Sequence, residues 1–515
     1  MSLFMPFVSL AQDANEKGLD DKINEAFKPI ANWFEAVILH DFPFTASLFG
    51  TGIPTIIFLL VGGALFFTIY FGFVNIRHFP TAINTVRGKF DFLDKKDKKD
   101  TEGEVTHFQA LATAVSGTVG NGNIAGVAMA IAIGGPGATF WMILCGLLGM
   151  STKFVECTLG VKYRDIGEDG TVYGGPMYYM TKGLKEIGYE KLGKFLAIVF
   201  AILCIGASFG GGNAAQSNQA AVQLANSFGM TGGNARTIIG LIMMVFVGII
   251  IIGGIKRIAS VTEKIVPFMA LMYIIACLYI ILTNITFVDD AFGMIFSQAF
   301  TPNAGLGGFL GVLVTGFRRA AFSNEAGAGS ASIAHSAVKT SYPASEGLVA
   351  LLEPFIDTVV ICTLTALVII IFNGDSTVFN YGGEGGVVMI DGVPAEGASI
   401  TAAAFSKYIS FSGPFLTIAV VLFAVSTMIS WSYYGLQSWI YVFGKSKAAD
   451  LTYKILFLLF IVIGAAGDMS SVWGFSDAMI LGLVFPNMIG LFFLFPKVKE
   501  ELTRYTNAIA GIVKK

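Results

Sequence analysis

Charge is what this sequence has least of. Only 13% of its 515 residues are Asp, Glu, Lys or Arg, about half the share that a water-soluble domain carries, so an ordinary soluble enzyme cannot be built from it. Neither sign dominates: 33 basic against 35 acidic residues leave a net charge of −2, which excludes a nucleic-acid binder working through a basic face. The four histidines, His40, His78, His107 and His335, show neither H-E-x-x-H nor H-x-x-E-H spacing, so no metal-dependent protease is expected. Five cysteines, Cys145, Cys157, Cys204, Cys277 and Cys362, lie in apolar stretches and read as small core residues, with no disulfide framework or metal site. A P-loop, a G-x-S-x-G turn and paired intramembrane aspartates are all missing, which argues against a nucleotide-driven pump and an intramembrane enzyme. No ring of repeated filter residues suggests a channel.

What is abundant is apolar. Hydrophobic residues make up 54%, mean hydropathy is +0.71 and Phe numbers 46, which excludes a disordered chain and leaves an all-α polytopic membrane protein in a lipid bilayer. About eleven spans are expected: Ile53 to Asn75, Phe108 to Gly134, Ala138 to Lys162, Lys194 to Leu224, Arg236 to Gly254, Ile258 to Thr283, Gly305 to His335, Ser345 to Phe372, Ser412 to Phe443, Leu451 to Gly467 and Phe475 to Phe495. Residues 1–50 form an N-terminal segment whose start, ending Ser9-Leu10-Ala11, has the small-x-small form of a signal cleavage site. Within it, Pro29 to Phe42 carries Ile30, Trp33, Phe34, Val37 and Ile38 at helical spacing, which predicts a helix lying on the membrane surface.

Basic residues fall in every second connection: Arg77 to Lys99, Arg164 to Lys191, Lys256-Arg257, Lys339, Lys445 to Lys454, and the tail over 496–515. By the positive-inside rule the N-terminus is outside, the C-terminus is cytoplasmic and the loop over 373–410 is extracytoplasmic, in a multi-pass protein of the cell (inner) membrane. Setting aside the first span (53–75) leaves ten, five over 108–283 and five over 305–495. Because five is odd, the second set enters the bilayer from the opposite face, the arithmetic of an inverted repeat. The first span of each set is interrupted by Gly and polar residues, in one at Ser116-Gly117-Thr118-Val119-Gly120-Asn121-Gly122-Asn123 and in the other at Phe322-Ser323-Asn324-Glu325-Ala326-Gly327-Ala328-Gly329-Ser330. Irregular backbone inside a bilayer survives where it meets a ligand or lines a cavity. Two discontinuous helices at matching places therefore point to a central site, with half-helix amides for an anion and bare carbonyls for a cation.

These stretches resemble the alanine/glycine:cation symporters (AGCS), sodium-coupled amino-acid transporters of the leucine-transporter-like 5+5 inverted-repeat fold. The resemblance rests on Gly120-Asn121-Gly122-Asn123-Ile124-Ala125-Gly126-Val127-Ala128, Gly134-Gly135-Pro136-Gly137-Ala138, Phe140-Trp141-Met142, Gly174-Gly175-Pro176-Met177-Tyr178-Tyr179, Phe322-Ser323-Asn324-Glu325-Ala326-Gly327 and Gly329-Ser330-Ala331. It implies import of a small neutral amino acid, alanine or glycine, with Na⁺ and neither nucleotide nor nucleic acid as partner. It also implies a substrate site of Asn121, Gly122, Gln216, Phe322, Thr427 and Trp431, in which Phe322 and Trp431 wall off a side chain no larger than a methyl group. By the same resemblance the carbonyls of Ser116 and Val119, with the adjacent hydroxyls of Ser426 and Thr427, hold Na⁺. Neither the segment before Ile53 nor the polar insertion Asn373 to Gly397 is covered by these motifs.

Asn213 shares a helical face with Gln216 and Ala220, and a buried Asn can equally serve as glue between helices. Charges inside spans are functional suspects by default. Arg318 and Arg319 precede the second break, Glu325 sits in it, and Glu353 and Asp357 lie at i and i+4 on the next span. These five are expected to be gating or structural charges, an arginine pairing with one of the three carboxylates. Lys153 and Glu156 read as a snorkelling pair. Lys264 leaves a second reading open, a proton-coupled symporter, because in some relatives of the implied fold a lysine on that span replaces the sodium ion.

Overall fold

The computed structural model describes residues 18–41, 45, 53–96, 103–230, 232–300, 308–374 and 376–513; Ser9-Leu10-Ala11 and Phe42 lie outside them. Among the described residues seven helices are long and apolar enough to cross a bilayer, accompanied by the shorter apolar helices Thr55–Tyr70, Gly122–Gly134 and Ala235–Ile251. Apolar side chains point outward: Ala235–Ile251 exposes Ile242, Val245 and Phe246, and Gly254–Thr283 exposes Phe268, Leu271 and Ile275. Asn121, Asn123, Ser116 and Asn324 are fully buried. A chain that hides its amides and shows its leucines is built for lipid.

Two core helices are discontinuous. The first starts at His107 behind a reciprocal cap, in which Thr106 Oγ1 accepts from Gln109 N at 3.2 Å and Gln109 Oε1 from Thr106 N at 3.1 Å. It stops at Thr118. Val119 leaves the helical region at φ −75°, ψ 86°, a π-helical turn covers Gly122–Gly126, and Val127–Gly134 completes the crossing. The second runs Gly308–Asn324, breaks, and restarts as Ala331–His335. Glu325 stands in this break at φ 54° beside Gly327 and Gly329, also at positive φ. A non-glycine residue held there costs about 1–3 kcal/mol and persists only where its surroundings fix it.

Four features differ from the sequence expectation. The third core helix is itself interrupted: Glu190–Phe209 passes into a π-helical Gly210–Ala214 before Ala215–Phe228. The seventh, within Pro343–Asn373, carries a π-helical stretch Phe355–Cys362, and such widened turns collect at functional sites. The tenth, expected over Phe475 to Phe495, is one helix from Met469 to Val513 through Pro486 and Pro496, so residues 496–513 continue it. The surface helix begins earlier than expected, at Leu19, and ends at Ile38. It rests Phe27 on Phe475 with centroids 5.3 Å apart, while Asp20 Oδ1 accepts from Thr237 N at 3.0 Å. Ile30, Trp33 and Val37 remain exposed along one stripe, the face an interfacial helix gives to lipid.

The polar insertion is built onto the first broken helix. Gly382 N donates to Ala132 O at 2.7 Å. From the short helix Ala398–Tyr408, Thr401 Oγ1 donates to the Ile124 carbonyl at 3.0 Å, supplying a partner for backbone inside the π turn.

Candidate functional site

The first break is organised from the third core helix. Asn121 N donates to Gln216 Oε1 at 2.8 Å and Asn121 Nδ2 to Gln216 O at 3.2 Å, while Gln216 Nε2 donates to Gly211 O at 2.9 Å. The interruption at Gly210–Ala214 thus orients the glutamine that holds the break. Asn121 Oδ1 is left buried with no hydrogen-bond partner among the described residues. A Cβ on Gly120 would strike Thr427 Oγ1 and lie 3.0 Å from Gln216 Oε1, which places Thr427 and Gln216 on either side of this turn. Asn213 points elsewhere, donating to Phe457 O on the ninth core helix at 2.6 Å.

Of the four expected ion ligands, two meet directly: Thr427 Oγ1 donates to the Ser116 carbonyl at 3.0 Å. Ser116 Oγ returns a bond to Ser426 O at 2.8 Å. The Ser426 hydroxyl instead donates to Phe423 O of its own helix at 3.0 Å, a common fate of a helical serine. Val119 is buried at the non-helical residue that ends the half-helix.

The second break closes the other side. A Cβ built on Gly122 would lie 3.5 Å from Phe322 Cδ1 and 3.6 Å from Ser323 Cα, so the two breaks face each other at van der Waals distance. Phe322 stacks on Trp473 at 4.8 Å, and the Arg319 guanidinium lies 5.6 Å from the Phe322 ring and 5.4 Å from Trp473. Trp431 lies against Gly212, where a Cβ would collide with its ring, and donates from Nε1 to Glu325 Oε1 at 2.9 Å. Five of the six expected substrate residues, Asn121, Gly122, Gln216, Phe322 and Thr427, meet at the first break, while Trp431 stands between Gly212 and Glu325 of the second; Gly211 and Gly212 give the two aromatic rings their space.

Asp357 joins the two breaks. Its Oδ1 accepts from Asn123 Nδ2 of the first at 2.7 Å, and Ser323 Oγ of the second lies 2.9 and 3.1 Å from its two oxygens; Thr358 Oγ1 adds a bond at 2.7 Å. All these donors are neutral and the side chain is fully buried. A buried carboxylate held only by neutral groups favours a cation or a proton beside it.

The other charges inside the spans pair differently from the sequence expectation. Neither Arg318 nor Arg319 pairs with Glu325, Glu353 or Asp357. Arg318 Nε lies 2.8 Å from Asp477 Oδ2 on the tenth core helix and its Nη2 3.4 Å from Glu35 of the surface helix, while Arg319 pairs with the same Asp477 oxygen. The expected partners have others: Glu325 accepts from Trp431 and Ser330, and Glu353 binds Lys153 Nζ at 3.0 Å. Lys153 and Glu156 are fully buried, so they do not snorkel; Glu156 Oε1 accepts from Gly327 N at 2.9 Å and Asn487 Nδ2 at 2.8 Å. Lys264 is exposed and brings no charge to the breaks. In the expected span starting at Phe475, Asp477 falls in the first turn, where a carboxylate is unremarked; in the structure the helix starts at Met469 and Asp477 lies more than two turns inside it. Asp477→Asn should leave Arg318 and Arg319 without the carboxylate they share and destabilise the fold by about 3–5 kcal/mol, read as a lowered Tm in detergent; the charge-free triple Arg318→Met, Arg319→Met and Asp477→Leu should recover much of it.

A model of the sodium:alanine symporter family matches residues 42–513. The chain belongs to this family. Among curated proteins it is similar to the sodium/alanine symporter AgcS of Methanococcus maripaludis, 40% identical over 87% of this chain and 93% of that one. It is also similar to two Bacillus subtilis proteins at 34% identity, the probable sodium/glutamine symporter GlnT (88% and 87% covered) and the putative sodium/proton-dependent alanine carrier protein YrbD (85% and 87%). A solved structure, MhsT in complex with L-phenylalanine, matches at TM-score 0.49 and 15% identity over 77% of this chain and 99% of that one. As a member of the sodium:alanine symporters the protein is a multi-pass membrane transporter, not an enzyme.

Proposed function

We propose that this symporter imports a small neutral amino acid, alanine or glycine, together with Na⁺, its lysine- and arginine-rich side facing the cytoplasm. The observation that carries the reading is the meeting of Asn123 and Ser323, one from each break, on the buried carboxylate of Asp357. An anion that spans both breaks ties their relative position to a cation, and alternating access consists of moving such repeats against each other. The amides freed near Gly122 suit the substrate carboxylate, the unpartnered Asn121 Oδ1 suits its ammonium group, and Phe322 and Trp431 bound its side chain. The carbonyls of Ser116 and Val119 with the hydroxyl of Thr427 are oxygen donors of the kind Na⁺ takes, Ser426 joining only if it turns out of its own helix. Proton coupling through Lys264 loses its footing because that side chain is exposed.

Calorimetric titration of the purified protein with alanine, glycine and leucine, in Na⁺ and in K⁺, tests this. Alanine or glycine should bind in Na⁺ alone and leucine in neither; equal binding in K⁺ contradicts it. The contact at Gly122 adds a sharper expectation. Since a Cβ there meets only ordinary contact distances, Gly122→Ala should fold and shift preference toward glycine, whereas Gly122→Leu should fold and bind neither. Wild-type affinity in the leucine variant would show that no substrate approaches this turn.

A further inference from the structure

We propose that His335, buried between Glu346 and Glu353, is a proton-binding site that locks the lysine- and arginine-rich mouth of the transporter. This rests on the transport reading above. His335 Nδ1 lies 2.5 Å from Glu346 Oε1 and His335 Nε2 3.5 Å from Glu353 Oε2, with all three side chains fully buried. A neutral imidazole has one N–H, so its second nitrogen would turn a lone pair toward a carboxylate; only the imidazolium offers a proton to each. His335 Nε2 and Glu353 Oε2 have no hydrogen-bond partner among the described residues, so the proton at Nε2 meets an acceptor that is otherwise unsatisfied.

The cluster reaches further in both directions. Glu346 Oε2 meets His107 Nδ1, and Glu353 Oε1 binds Lys153 Nζ at 3.0 Å. Asp91 and Asp94 lie near His107 on the preceding connection, and Glu156 and Glu325 lie near Lys153. With both histidines neutral, Lys153, Glu346 and Glu353 alone sum to one buried negative charge, before the neighbouring Glu156 and Glu325 are counted; a proton on His335 offsets negative charge that is costly when buried and uncompensated. His107 is the slightly exposed end of the line, so the proton comes from and returns to water on that side.

The position makes this a lock. His107 begins the first broken helix and His335 ends the second. The backbone repeats the tie, Glu104 N donating to Ala337 O at 2.7 Å and Lys339 N to Val105 O at 2.8 Å. A path between the breaks and this side of the membrane requires these ends to part. While His335 holds its proton, two carboxylates of the seventh core helix grip it; when the proton leaves, its Nε2 faces Glu353 with nothing to donate, and the grip weakens.

Two measurements test the proposal. The chain has four histidines, so ¹⁵N-histidine NMR of the intact protein in lipid resolves few rings, and His335→Gln identifies the signal. The expected result near pH 7.5 is an imidazolium at His335; a neutral tautomer overturns the proposal. In proteoliposomes with the basic side facing the lumen, alanine uptake at fixed outer pH should fall several-fold between a lumen at about pH 8 and one at about pH 6, and His335→Gln should flatten that profile. A wild-type rate indifferent to lumenal pH, or a variant that keeps the profile, contradicts it. Should His335→Gln not fold, Glu353→Gln serves in both measurements. Because the NMR reading needs no substrate, failure of alanine transport and failure of the proton site are distinguishable.

Discussion

Replacing Asp357 with Asn should weaken Na⁺-dependent alanine binding by about thirtyfold to a few thousandfold while leaving a folded protein. The amide keeps the carboxyl's shape, and its oxygen still accepts from Asn123 or Ser323, so the seam between the two breaks stays closed. What is lost is the group that can carry a negative charge beside a bound cation. Removing one member of a buried charge interaction costs about 2–5 kcal/mol, and each 1.4 kcal/mol is tenfold in affinity. The variant should therefore show an unchanged elution profile, a Tm near that of wild type and an alanine affinity that Na⁺ no longer improves. An alanine affinity still enhanced by Na⁺ as in wild type would make Asp357 a structural acceptor and remove the observation on which cation coupling is built.

Thr427→Ala should lower apparent Na⁺ affinity about ten- to a hundredfold, and Ser426→Ala by less than threefold. The two hydroxyls are neighbours in sequence but differently engaged: Thr427 reaches across to the Ser116 carbonyl, whereas Ser426 bonds to Phe423 in its own turn. Losing Thr427 removes an oxygen next to the first break and leaves the Ser116 carbonyl short of a donor, at about 1–3 kcal/mol. Substrate affinity should follow, because sites that favour one state tighten each other, and high Na⁺ should restore much of it. Alanine titrations across a Na⁺ series check this; a loss that Na⁺ never recovers would place Thr427 in the substrate pocket alone.

The breaks were readable because glycine and asparagine inside an apolar run have no packing excuse at both equivalent places. Thr427 and Trp431 were readable as one helix face. Pairings across the molecule were not: Arg319 and Asp477 are 158 positions apart, and nothing local distinguishes Asp477 from Glu325 or Asp357 as a partner. The π-helical turn Phe355–Cys362 contains no glycine to betray it, whereas Gly210-Gly211-Gly212 did carry a signal, since only glycine lets Trp431 lie where it does. His107 and His335, which lack metal-site spacing, are unremarkable in sequence; their meaning arises where the fold sets Glu346 between them.

The coupling claim is tested most directly by concentrative uptake. Moving one Na⁺ inward down a potential of about 100 mV releases about 2.3 kcal/mol, which a symporter can store as an amino-acid gradient. Proteoliposomes loaded with K⁺ and diluted into Na⁺, at equal pH on both sides, should accumulate labelled alanine above the external concentration, and the same vesicles diluted into K⁺ should not. Accumulation without Na⁺, or driven equally by an inward proton gradient alone, would contradict the account.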